Sequence, residues 1–256
     1  MEPPHTPKKE VSGKDMTTLI VSDVHLGSFY NRATELAAFI RSARFGRLII
    51  LGDLFDKPSV ERLREEEWEF LDLVRSMSRR KEIIWVEGNH DEGLYDRIPT
   101  LLNIQAVKQY EWVIDGKRFL AIHGHQFDIY SRNKSILASC AGELYRFLRR
   151  IDLTLGKDVF HRLCFENGAW KRSSNIVTEG ALEYGKNLGA DFVFCGHTHR
   201  AFNVRRDGVE YFNSGCWNDM HCHYVTVDNS GVSLKKLSEY GEVVKTGVSL
   251  AAQQAT

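Results

Sequence analysis

The run Arg47–Leu51 is apolar on both of its alternating faces through Leu48, Ile49 and Ile50, and Ile83–Val86 repeats the pattern. Successive side chains of a strand point to opposite faces. A strand that is apolar at nearly every position therefore needs cover on both sides, which a parallel sheet between packed layers supplies. Thr17–Ser22 is a third strand candidate, rich in β-branched residues, and Glu35–Ala43 reads as a helix between it and Arg47. Ser59 predicts the N-cap of a helix running through Arg79, with Leu63, Phe70, Leu71, Val74 and Met77 on one face. Strand, helix, strand, helix, strand is the order of a largely parallel sheet. The 256 residues suffice for one large α/β domain or two small ones.

Beyond Val86 the texture changes. Tyr110–Ile114 and Arg118–Ile122 flank Asp115-Gly116, a hairpin signal, and Asp207-Gly208 and Asn229-Ser230-Gly231 mark two more. Phe192–Phe194 is another buried strand, and residues from about 127 to 189 turn helical with no strand signal. The expectation is an α/β domain over residues 16–245, with two packed sheets, outer helices and a helical insertion on one loop. Residues 1–15 are polar, carry Pro3, Pro4 and Pro7, and read as a disordered tail; 246–256 read as a flexible one. The N-terminal stretch lacks the apolar centre of a signal peptide, and no apolar run approaches the roughly 18 residues of a membrane span. Cys140, Cys164, Cys195, Cys216 and Cys222 are scattered without a CxxC, which predicts reduced thiols and a cytoplasmic protein. A formal net charge of +0 argues against a whole-molecule grip on nucleic acid.

Short polar motifs end the predicted strands: Asp23-Val24-His25, Gly52-Asp53, Gly88-Asn89-His90-Asp91, His123-Gly124-His125 and Gly196-His197-Thr198-His199. Loops at the carboxyl ends of strands in an open α/β sheet can converge on one site. Imidazole, carboxylate and amide oxygen without thiolate suit hard-to-borderline divalent cations. Two cations at roughly 3.5–4 Å need a shared ligand. Asp53 is the candidate bridge, because a carboxylate offsets the repulsion between them. Asp23 and His25 can serve one cation, and His197 and His199 can send one imidazole to each. Any one motif alone has an ordinary structural explanation, such as a turn or a chance pair. Their joint occurrence at successive strand ends does not.

The set resembles the calcineurin-like metallophosphoesterase superfamily, whose pattern is D-x-H, G-D, G-N-H-D/E, H and G-H-x-H, over about Thr17 to Leu237. The resemblance implies a four-layer α/β/β/α sandwich of two mixed sheets and two divalent cations, manganese foremost, with iron or zinc as alternatives. One cation would take Asp23, His25, Asp53 and His199; the other would take Asp53, Asn89, His123 and His197. A hydroxide bridging them would attack phosphorus, with His90 as general acid or charge stabiliser. In the protein-phosphatase branch a carboxylate placed like Asp56 orients the catalytic histidine, so Asp56 is a second catalytic candidate; a turn-capping role is its alternative. Asp91 reads as a loop brace.

The second motif continues Leu54-Phe55-Asp56-Lys57-Pro58, without the arginine and glycine of protein phosphatases, and the long C-terminal regions of the repair nucleases are absent. Ser22–Gly27, His123–Asp128, the insertion and Asn213-Ser214-Gly215-Cys216-Trp217 look instead like UDP-2,3-diacylglucosamine pyrophosphatase and its relatives. That branch implies hydrolysis of a lipid-linked sugar-nucleotide diphosphate in lipid A synthesis, a lid over acyl chains, and peripheral contact with the inner membrane through the insertion. Arg132, Arg149, Trp170, Lys171 and Arg172 are the candidate substrate contacts; a helical hairpin with its own small core and a basic solvated face is the alternative. Two departures are His90, where the branch carries arginine, and His125, where it reads His-Gly-Asp. A general phosphodiesterase or phosphatase for soluble nucleotides and a non-catalytic scaffold are the rival functions. His221 and His223 would share one strand face, as an extra metal pair or as ordinary core or surface histidines.

Overall fold

The computed structural model describes residues 9–10, 17–128, 168–218, 221–237 and 243–245. In the first sheet, β2 (Thr18–Val21), β3 (Arg47–Leu51), β4 (Glu82–Val86) and β5 (Gln105–Val107) run parallel. Antiparallel strands β11 (His223–Asp228), β12 (Gly231–Leu237) and β13 (Val243–Lys245) extend it beyond β2, giving the order β13-β12-β11-β2-β3-β4-β5. The second sheet comprises β1 (Lys9–Glu10), β6 (Gln109–Ile114), β7 (Lys117–Ile122), β8 (Phe192–Cys195), β9 (Phe202–Arg206) and β10 (Val209–Asn213). Its order is β1-β6-β7-β8-β10-β9, with β7, β8 and β10 parallel. The hairpins expected at Asp115-Gly116, Asp207-Gly208 and Asn229–Gly231 are all formed.

Strand periodicity sorts the core into three layers. Leu19, Val21, Leu48, Ile50, Ile83 and Trp85 face outward onto α1 (Ala33–Ser42) and α2 (Glu65–Met77). The alternate residues Ile20, Ile49, Leu51, Ile84 and Val86 face the second sheet, meeting Trp112, Phe119, Phe192, Phe194 and Phe212. Leu120, Ile122, Val193 and Cys195 face outward on the far side, together with Ala181 and Leu182 of the last helix, α4 (Gly168–Leu188). Helices, sheet, sheet and helix are thus the four layers, in two mixed sheets as expected. A short helix, α3 (Ile98–Leu102), leads into β5 and ends on Asn103 in the left-handed region.

Three expectations need correction. The second helix starts at Glu65 after the cap residue Arg64, not at Ser59. The Glu67 carboxylate accepts the Arg64 N–H at 2.5 Å and closes the first turn there, while Ser59 Oγ accepts only the nearby Glu61 N–H at 3.3 Å. Lys9 and Glu10 do not belong to a disordered tail; they pair in parallel with Trp112 and Val113. Backbone pairing along β6 needs no side-chain pattern, so composition could not reveal it. The insertion expected over about 127–189 is also too long: α4 buries Val177, Ala181 and Leu182 and supplies the fourth layer. Residues 129–167, with Arg132 and Arg149, lie outside the described residues, as do Cys140 and Cys164. Cys195, Cys216 and Cys222 are buried, and no disulfide forms among the described residues.

Candidate metal centre

Chain direction puts the carboxyl ends of β2, β3, β4, β7 and β8 at one rim of the paired sheets. Hydrogen bonds beyond the strands lock the loops together. Asp23 N–H donates to Gly52 O at 3.1 Å, His25 N–H to Asp53 O at 3.0 Å and Leu26 N–H to Leu54 O at 2.8 Å. On the other sheet Gly196 N–H donates to His123 O at 3.1 Å. The Asp23 carboxylate joins the two sheets by accepting the His197 N–H at 3.1 Å through Oδ2.

Among the described residues, donor atoms within 4.8 Å of one another form three groups: Asp23, His25 and His199; His25, Asp53 and His90; Asp53, His123 and His197. Asp53 Oδ2 stands 3.3 Å from His123 Nε2 and 3.9 Å from His25 Nε2, and its Oδ1 accepts the His90 N–H at 2.9 Å. His199 Nε2 lies 3.2 Å from Asp23 Oδ1 and 3.2 Å from His25 Nε2. His123 Nδ1 meets the Leu51 carbonyl at 2.9 Å. A carbonyl only accepts, so that nitrogen carries the proton and Nε2 is the lone-pair nitrogen of the neutral ring. That buried Nε2 has no hydrogen bond. Buried polar groups are normally paired. An orphaned imidazole nitrogen facing a buried carboxylate, beside two histidine nitrogens turned toward each other, fits a cation.

The backbone is strained at the same places. Asp23, His25, Asp53, His197 and His199 all have positive φ, between 48° and 63°. The left-handed region costs a non-glycine residue about 1–2 kcal/mol, and such outliers collect at functional sites. Glycine makes the close approach practicable: a Cβ at Gly52 would strike the His123 ring, and one at Gly196 would strike Asp23 Oδ2.

Burial and mutual charge set the protonation. Burial favours neutral side chains, but His123 and His199 outweigh it and hold Asp53 and Asp23 below the usual carboxylate range. Burial likewise opposes charge on His123, yet the Asp53 carboxylate pushes it up to about 9. At His25 burial wins and pulls the ring down to about 3. Asp91 is raised to about 7 by burial and then by the charge of Asp53.

Asn89 is exposed and adjoins His90 on the β4 loop. His90 Nδ1 meets the Asp56 main-chain carbonyl at 2.7 Å. The contact expected of the Asp56 carboxylate is therefore made by its backbone, while its Oδ1 lies 3.6 Å from His25 Nδ1. Asp91 braces the loops by accepting N–H groups from Phe55, Trp85 and Gly88 at 3.1, 3.2 and 3.0 Å. Trp170, Lys171 and Arg172 occupy the first turn of α4, the latter two exposed. Trp170 donates its indole N–H to Thr198 O at 3.0 Å, so it contacts the His197–His199 loop directly. His223 opens β11, while His221 precedes the strand and accepts His223 Nδ1 at its carbonyl at 2.7 Å.

Two residues entered the sequence reading only as members of quoted motifs, without a role at the site. Asp128 is buried, with Oδ2 2.9 Å from His197 Nε2. Its signal was its place three residues after His125, at the end of a polar strand-end motif. Asn213 ends β10, donates to Gly196 O at 2.6 Å and Thr198 Oγ1 at 3.1 Å, and accepts the Gly215 N–H at 3.0 Å.

A family model described as calcineurin-like phosphoesterase matches residues 16–201. No curated protein matches the chain at a significant level. Among solved structures, a single mutant of Vps29 from Entamoeba histolytica is similar over 91% of this chain and 100% of that one, with TM-score 0.51 and 14% identity. Yfce, a phosphoesterase from E. coli, is similar over 90% and 97%, with TM-score 0.50 and 20% identity. At these identities the likeness establishes the fold.

Proposed function

The chain belongs to the calcineurin-like phosphoesterase family and is a metal-dependent phosphoesterase, and from that premise we propose that Asp53 bridges two divalent cations. Asp23, His25 and His199 would hold one, and Asn89, His123 and His197 the other. The observation that carries this reading is the position of Asp53 in two of the three donor groups, with His123 Nε2 and His25 Nε2 on either side of its Oδ2. Manganese is the proposed ion. When bound, the cations supply an activated water and neutralise charge on the phosphoryl oxygens.

The protein's own groups do the rest. His90 Nδ1 faces a carbonyl and must carry a proton there, which leaves Nε2 for the substrate. With a proton on Nε2, His90 would donate to the leaving oxygen or stabilise its charge. Lys171 and Arg172, on the turn that carries Trp170, supply exposed cations for an anionic substrate.

The substrate class favoured by the motif resemblance is a sugar-nucleotide diphosphate of the UDP-2,3-diacylglucosamine kind. Such a lipid-linked substrate would bring a cytoplasmic enzyme to the inner-membrane surface. No helix among the described residues is long and apolar enough to cross a membrane. Phosphorus NMR of UDP-2,3-diacylglucosamine with protein and manganese tests the reading. The expected products are UMP and the acylated sugar phosphate, formed far faster than from UDP-N-acetylglucosamine. Turnover of a small phosphodiester alone would move the substrate to soluble nucleotides. No metal-dependent turnover of any of these substrates would sink the catalytic reading.

A further inference from the structure

Asp128 and Trp170, which flank the segment 129–167 in the sequence, both contact the loop His197-Thr198-His199. Asp128 follows a short helical turn, His125–Phe127, and its buried Oδ2 lies 2.9 Å from His197 Nε2. Trp170 in the first turn of α4 donates its indole N–H to Thr198 O at 3.0 Å. His197 and His199, on either side of Thr198, are both in the left-handed region at φ 63° and 57°. A strained loop persists only where its surroundings over-determine it. From the second sheet Asn213 holds Gly196 O and Thr198 Oγ1. Asp128 and Trp170 hold the ring and the carbonyl that Asn213 does not touch.

The Asp128 contact also selects the chemistry of His197. A carboxylate accepts, so Nε2 carries the proton and Nδ1 is left as the lone-pair nitrogen for a cation. A carboxylate behind a ligating imidazole fixes its tautomer and orientation and raises its basicity. We propose that Asp128 and Trp170 are positioning residues. Through their two contacts the His197–His199 loop is held in its cation-binding geometry. The proposal rests on the reading of His197 and His199 as cation ligands.

The test uses the full chain, titrated with Mn²⁺ by calorimetry and with Co²⁺ by its visible d–d spectrum, alongside the melting temperature of the metal-free protein. Asp128→Asn is expected to weaken one of the two sites by about 10–100-fold, the usual effect of losing a partner behind a metal ligand, and to shift the Co²⁺ bands. Asp128→Glu keeps the carboxylate and is expected to recover part of the affinity. Trp170→Phe keeps the ring, loses the N–H, and is expected to perturb the same Co²⁺ bands more weakly. Unchanged affinity and spectrum in Asp128→Asn and Trp170→Phe overturn the proposal. So does an affinity loss matched by an equal melting-temperature loss with no spectral shift, which marks a purely structural role. A wild-type protein that binds neither ion removes the ligand reading itself, a different failure from wild-type binding that the variants leave intact.

Discussion

Buried charge occurs at both ends of the space between the sheets, in two different states. At the amino end of β3, the fully buried Arg47 pairs through Nε with Glu82 Oε2 at 2.7 Å, and its guanidinium lies 5.4 Å and 5.8 Å from the centres of the Tyr110 and Trp112 rings. At the carboxyl end, Asp23, Asp53, His25, His123 and His199 turn their donor atoms toward one another, all but His123 on a backbone at positive φ. The first cluster supplies its own counter-charge and aromatic contacts, on relaxed strand geometry. Each end leaves a buried nitrogen without a hydrogen bond among the described residues, Arg47 Nη2 at the first and His123 Nε2 at the second, but only the second is over-supplied with cation donors. Burial alone therefore does not mark a site. Convergence of donors and backbone strain together do.

The largest expected effect is at the unbalanced end. Asp53→Asn removes the shared carboxylate and should lower metal-dependent turnover by at least about 10²–10³-fold, the scale for losing one preorganised electrostatic group. Steady-state rates at saturating Mn²⁺ check it, and activity within a few-fold of wild type would undo the bridge. The mirror experiment is Arg47→Ala. It strands Glu82 and opens a gap beneath Tyr110 and Trp112, so it should cost about 3–5 kcal/mol in urea unfolding. Mn²⁺ affinity of the folded fraction should not change. Arg47→Met, which refills the volume without charge, should cost much less. If Arg47→Ala weakened metal binding, the two ends could not be treated as independent.

The contrast also explains what was legible in the sequence. Ile49 and Leu51 facing one way and Leu48 and Ile50 the other follow from strand alternation, so the layers could be read directly. Donor residue types at strand ends could be read for the same reason, because a parallel sheet brings those ends together. Contacts made by main-chain atoms could not. The Asp56 carbonyl on His90 and the Leu51 carbonyl on His123 leave no mark in residue identity. Asp128 and Trp170 reach the His197 loop from positions 69 and 28 residues away. Arg47 read as the start of an apolar run, since nothing local signals that Glu82 will neutralise it. Helix α2 began late because the Glu67 carboxylate, not the Ser59 hydroxyl, closes its first turn.

Protonation offers a finer separation of the two ends. His123 is raised to about 9 in the metal-free protein, so at neutral pH a cation must displace its proton. Mn²⁺ affinity should rise about tenfold per pH unit for each proton displaced and flatten above about pH 9. Calorimetry in buffers of different ionisation enthalpy would count the protons released. The sign reverses for stability. A histidine with a folded pKa above its unfolded value stabilises fully below about pH 6.5. That contribution fades as pH rises through about 9, so the metal-free protein should lose stability over the interval in which metal binding gains. Binding without proton release would mean that the Asp53 carboxylate does not hold a proton on His123.

Asp91 tests whether location or incomplete pairing matters more, with the smallest expected effect on the metal. It lies beside His90 and is raised to about 7 by burial and by Asp53, yet its two oxygens accept three N–H groups. Its hydrogen bonding is thus complete although it is buried next to the cluster, unlike that of His123, whose Nε2 has no hydrogen bond among the described residues. Asparagine can accept at one oxygen only, and its amide N–H groups would face a backbone or indole donor. Asp91→Asn should therefore cost roughly 1–3 kcal/mol of stability, the penalty for leaving a buried donor unsatisfied. Mn²⁺ affinity should change by no more than about threefold, since the braced loop keeps its remaining contacts. A loss of affinity as large as that of a ligand substitution would place Asp91 among the groups that serve the cations, and proximity to Asp53 would then outweigh complete hydrogen bonding.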